Sequence, residues 1–163
     1  MGAQRRIVAI PGTLCSPQLF EPLAALLESR ATVDAVSWMT WPGPWDIPSL
    51  AARLAGRIEE GGSAPVAIVG HSTGGAIAQQ VVLDRPELVD LLVLVDTGPN
   101  MHGHADVDAI IETMERSWGT GLLGAILDRS FATPLDPEVR ARFLRYAETV
   151  SYTHLTLPTK RIV

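Results

Sequence analysis

One cysteine, Cys15, stands in a chain of 163 residues, so no internal disulfide and no thiolate metal cluster can form. Lysine also occurs once, at Lys160, and the arginines are scattered rather than clustered. With a formal net charge of -5 and no basic run, the chain lacks the electrostatic footprint of a nucleic-acid binder and the patch of a membrane binder. Long apolar runs are missing too. Pro11 and Gly12 interrupt the run that begins at Ile7, which argues against a secretory h-region, and nothing approaches transmembrane length. A cytoplasmic location is the expectation. There is neither a P-loop lysine after a glycine-rich string nor G-x-G-x-x-G, which excludes the common nucleotide-binding loops, and no cofactor is expected. Repeats and low-complexity tracts are also lacking.

What remains is an ordinary globular composition, 47% hydrophobic and 19% charged, on a length that suits one core with at most a small subdomain. The chain is organised around Pro65–Gly75, where an apolar run stops at glycine, presents a serine and passes into helix-forming sequence. Gly70-His71-Ser72-Thr73-Gly74 fits G-x-S-x-G, in which a strained strand-to-helix turn lifts the serine oxygen clear of a sheet. Context supports the motif. Val66–Val69 reads as a buried strand, and Gly75–Leu83 as a helix with Ala78, Val81 and Val82 at helical spacing.

The rest of the chain alternates. Arg5–Ile10 reads as a strand, followed by a turn-rich loop and a helix with Ser16 as N-cap, Pro17 at its first position and an apolar face of Phe20, Leu23, Leu26 and Leu27. Ala31–Ser37 reads as a second strand, and Ser49–Glu60 as a helix with Leu50, Leu54 and Ile58 on one face and Gly61-Gly62 as its stop. Leu91–Val95 is a continuous apolar strand of the kind buried on both faces. Strands alternating with helices imply an α/β fold with a doubly wound, mostly parallel sheet and ligands at the carboxyl ends of its strands. Beyond Asp96 the pattern is helical only, over Ala105–Ser117, Gly119–Phe131 and Asp136–Val150. The expected division is a core over residues 1–98, a partial helical cap over 99–149 and a tail over 150–163.

On three features in order, the chain resembles the α/β-hydrolase fold family, in particular its cap-bearing members: Pro11-Gly12-Thr13 where the family usually has His-Gly, the elbow at Ser72, and Leu91–Pro99. The resemblance implies that Ser72 is the nucleophile and that the oxyanion is held by backbone N–H groups of Thr73 and Thr13, with Leu14 as second choice for the latter. It also implies an acid and then a histidine later in the chain. Asp96 is the weak acid candidate, against a loop-capping role. Of the histidines, His71 reads as packing beside the elbow; His102 and His104 read as a polar entry to the cap, and their H-x-H spacing lacks a third metal ligand. No metal site is expected. Trp38, Trp41 and Trp45 either line an acyl pocket or pack a proline-rich loop over the core.

His154 follows Ser72 in the order the family requires, yet it sits in Val150–Thr159, which resembles a translated sequencing adapter. The expectation is therefore a family core that stops before its last strands and catalytic histidine, followed by a foreign, poorly packed tail. The implied activity, in the longer protein, is hydrolysis of a carboxylic ester, thioester or lactone through an acyl-serine, on a small molecule with an apolar acyl or alcohol part. Carbon-carbon bond hydrolysis, acyl transfer and cofactor-free haloperoxidase chemistry are the alternatives on the same fold, and a nonenzymatic ligand-binding module is the alternative of another class. Haloalkane dehalogenation would need a carboxylate where Ser72 stands. Nothing in the sequence sets an oligomeric state.

Overall fold

In a computed structural model, described over residues 4–62, 65–99 and 107–150, four parallel strands form one sheet in the order β2-β1-β3-β4. β1 is Arg5–Ile10, β2 Ala31–Ala35, β3 Val66–His71 and β4 Val89–Val95. The connecting helices are α1 (Glu21–Leu27), α2 (Ile47–Glu60) and α3 (Thr73–Asp84). Right-handed crossovers dictate where these go, because the chain steps one way from β1 to β2 and the other way from β2 through β3 to β4. α1 therefore covers one face, where Leu27 packs near Ile7, Ala31 and Ala67. α2 and α3 cover the other face, and Leu50, Leu54, Ile58, Ile77 and Val81 meet Val8, Ile10 and Ile68 there in the main core.

Local chemistry explains most element boundaries. α2 starts two residues before its expected position because the Asp46 side chain accepts from the Ser49 N–H, a cap the sequence reading missed, and Gly61 ends it. Ser16 does not cap: its hydroxyl donates to Gln18 Oε1 at 2.7 Å, and Pro17–Phe20 forms a 3-10 turn before α1 begins. With that shorter helix, the expected apolar face is only partly used. Phe20 is buried, whereas Leu26 is 80% exposed.

The clearest departure is β4, expected to be buried on both faces. Leu91, Val93, Leu94 and Val95 are 47%, 38%, 42% and 43% exposed, because β4 is the edge of the sheet and only β3 pairs with it among the described residues. After β4 come α4 (Val107–Ser117), α5 (Thr120–Arg129) and α6 (Pro137–Thr149), the last capped by Asp136 through the N–H groups of Glu138 and Val139. α6 is tied back to the core by a 2.9 Å hydrogen bond between the Tyr146 and Ser37 hydroxyls, and to α1 by the Arg142–Glu21 ion pair. Val150 is 2% exposed and belongs to the main core, so at this residue the expectation of a poorly packed tail does not hold. Residues 151–163, with His154, lie outside the described residues, as do His102 and His104.

Candidate active site

Strand order reverses between β1 and β3, so the loops leaving their carboxyl ends diverge and open a crevice at that point. Ile10 pairs with Gly70, and this register sets Pro11–Thr13 directly beside His71 and Ser72. Two glycines allow the approach. A Cβ on Gly12 would lie 2.8 Å from Ser72 Cβ, and one on Gly74 would fall on the Ile10 carbonyl.

Ser72 sits between β3 and α3 with φ 52° and ψ -123°, a conformation that L residues rarely adopt and that persists only where surrounding structure enforces it. The enforcement is visible: the Ser72 N–H donates to the Val95 carbonyl at 3.0 Å, and its own carbonyl accepts from the Gly75 N–H at 2.8 Å. α3 then begins at Thr73, directing the positive end of its dipole at the serine. Across the crevice the Thr13 and Thr73 hydroxyls are 2.7 Å apart, which joins the two loops that carry the expected oxyanion donors. Leu14, at φ 67°, donates its N–H to Met39 Sδ at 3.2 Å, so that amide is already engaged.

His71 packs beside the elbow as the sequence suggested, and its partner is now identified: the Gly12 N–H donates to Nδ1 at 3.3 Å. Burial lowers the His71 pKa and the charge of Asp96 partly opposes this, so the ring is held neutral with Nδ1 as the acceptor. Asp96, itself at φ 48°, directly follows β4 and lines the same cavity as Ser72. Cys15 lines that cavity too, with burial raising its pKa, which keeps it a thiol.

The cavity holds about 450 Å³. Its floor is Thr13, His71, Ser72 and Asp96, and its roof is built from α5 and α6, notably Leu123, Ile126, Phe143 and Leu144. These roof residues were not singled out from the sequence; the amphipathic spacing of both helices was the available signal. None of Trp38, Trp41 and Trp45 lines it. Trp38 instead donates its indole N–H to the Pro11 carbonyl at 2.7 Å and props the Gly12 loop from beneath, while Arg53 and Arg57 stack over Trp41. The packing reading of the tryptophans is the one observed.

A serine forced to positive φ between an inner parallel strand and its helix is the elbow of the α/β hydrolases. A model of the Alpha/beta hydrolase family matches residues 7–161, and the chain belongs to that family. Lipase LipV of Mycobacterium tuberculosis is 36% identical over 74 residues, which are 45% of this chain and 28% of that protein. The sn-1-specific diacylglycerol lipase ABHD11 of Mus musculus is 34% identical over 100 residues, 57% of this chain and 33% of that one. Among solved structures, an esterase from Exiguobacterium antarcticum superposes with a TM-score of 0.77 at 19% identity, over 99% of this chain and 67% of its own. The matches thus span about a third of the curated relatives' length. No helix among the described residues is long and apolar enough to cross a membrane.

Proposed function

We propose that the chain carries the nucleophile and oxyanion half of an acyl-serine hydrolase acting on a carboxylic ester, thioester or lactone with an apolar acyl or alcohol part. The observation that carries this reading is Ser72 at φ 52°, opening onto the cavity. Ser72 Oγ attacks the carbonyl carbon and its proton passes to a base; the Thr73 and Thr13 N–H groups hold the oxyanion; the leaving group departs with the proton, and water then cleaves the acyl-serine. α5 and α6 act as the cap, enclosing the apolar part of the substrate and excluding water. Asp96, which lines the same cavity, is the weak candidate for the acid.

A nonenzymatic ligand-binding module is the alternative of another class, for which the same cavity would be the binding site. The test uses the protein extended with its downstream coding sequence. It is expected to hydrolyse p-nitrophenyl butyrate, to lose about a million-fold in turnover with Ser72→Ala, and to be far more active than residues 1–149 alone. Covalent labelling of Ser72 by a fluorophosphonate without ester turnover would favour the carbon-carbon hydrolase or acyltransferase chemistries. Neither labelling nor turnover would leave the binding module.

A further inference from the structure

Beside the main cavity lies a smaller one of about 240 Å³, between the start of α1 and the face of α6, and Leu19, Phe131 and Phe143 line both. The Phe131 and Phe143 rings stand 6.2 Å apart, tilted by 58°, and with Leu19 they form an apolar partition between the two spaces. The polar groups around the smaller cavity stand at its solvent-facing rim. Glu21 and Arg142 pair with each other, and Gln18 Oε1 accepts from Ser16. Pro22, Leu135 and Val139 complete an apolar wall. At about 450 Å³ the main cavity falls in the usual size range of ligand sites, whereas about 240 Å³ is below it, so the smaller space suits an extension of the first better than a site of its own.

We propose that the smaller cavity is the terminal subsite for the methyl end of a straight-chain acyl group whose carbonyl lies at Ser72, with Leu19, Phe131 and Phe143 as the partition the chain passes. This rests on the acyl-serine reading above and adds to it a substrate class, medium- to long-chain acyl esters or thioesters. A chain end without charge or hydrogen-bonding groups is what the wall selects, because each methylene gains about 0.8 kcal/mol on leaving water and the side chains of Leu19, Pro22, Phe131, Leu135, Val139 and Phe143 offer a polar terminus no hydrogen bond.

The test is calorimetric binding of n-alkylboronic acids, from ethyl to dodecyl, to this chain. Boron takes Ser72 Oγ as its fourth ligand, the hydroxyl proton leaves to solvent, and the alkyl group reports on the cavities. Affinity is expected to rise about fourfold per methylene, the equivalent of ~0.8 kcal/mol, past the length that fills the main cavity. In Val139→Trp and, independently, Leu135→Trp, which fill the smaller cavity, the rise should stop several methylenes earlier while ethylboronic acid binds unchanged. A rise that stops at butyl in the unaltered chain, or at the same length in all three proteins, overturns the proposal. Ser72→Ala separates the two claims. It should weaken every length by one common factor and keep the length dependence, whereas no weakening at any length would remove the serine reading and leave the subsite standing.

Discussion

β3 and β4 are neighbours in one sheet, pair residue by residue from Ala67↔Leu91 to His71↔Val95, and are both mostly Val, Ile, Leu and Ala, yet one is sealed and the other open. Ile68 has no exposed surface, while its neighbour across the ladder, in β4, belongs to a strand with four large side chains more than a third exposed. Apolar composition states what a strand requires of its surroundings; position in the sheet decides what it receives. β3 has strands on both edges and α3 folded back over it. β4 has a strand on one edge only, among the described residues.

The largest effect that would sharpen this contrast is at Ile68. Ile68→Ala leaves a cavity in the main core and should cost about 2–5 kcal/mol in urea unfolding. Next is the loop that β3 meets at its carboxyl end: Gly12→Val drives a side chain into Ser72 and His71 and should cost about 1–3 kcal/mol, with loss of boronic-acid binding. Leu94→Ala, on the neighbouring strand, should change stability by no more than about 0.5 kcal/mol. A cost near that of Ile68→Ala would mean that something covers β4 in solution and the contrast would fail.

The smallest effect lies at the end of β3. Burial lowers the His71 pKa below the ordinary value of about 6.5, so the unfolded chain binds that proton more readily than the folded one. The contribution is fully present above the unfolded-state value and declines as pH falls below it. Urea midpoints at pH 7.5 and pH 5 should therefore differ less in His71→Gln than in the unaltered chain; equal differences would remove this account of His71.

The contrast also marks the limit of what the sequence disclosed. β1, β3 and the elbow were legible because an apolar run, a glycine on each side of Ser72 and a helical repeat each point to one local conformation, and the local conformation is the site. The same logic located β4 but not its exposure, since Leu91–Val95 carries no mark of what lies beside it. Distances across the chain were equally silent. The Gly12–His71 bond, the Leu14–Met39 contact and the Pro11 carbonyl under Trp38 arise because the fold brings together residues that sequence spacing leaves far apart. Even the shortest local device could mislead: Ser16 and Asp46 both stand before a proline-led helix, but only Asp46 reaches a backbone N–H, because the Ser16 hydroxyl already bonds Gln18.

The place of β1 in the sheet has a consequence for synthesis. It is the earliest of the four described strands and an interior one, and its partner β3 lies some sixty residues downstream, as the Ile7↔Ala67 pair shows. Until that partner emerges, Ile7-Val8-Ala9-Ile10 is a short apolar β segment with an unpaired edge, the kind that seeks other chains. Arg5 and Arg6 stand immediately before it. In the finished protein they pair with Asp90 and Asp34, and two charges placed directly before an apolar strand are the kind of flanking residue that opposes its association with other chains.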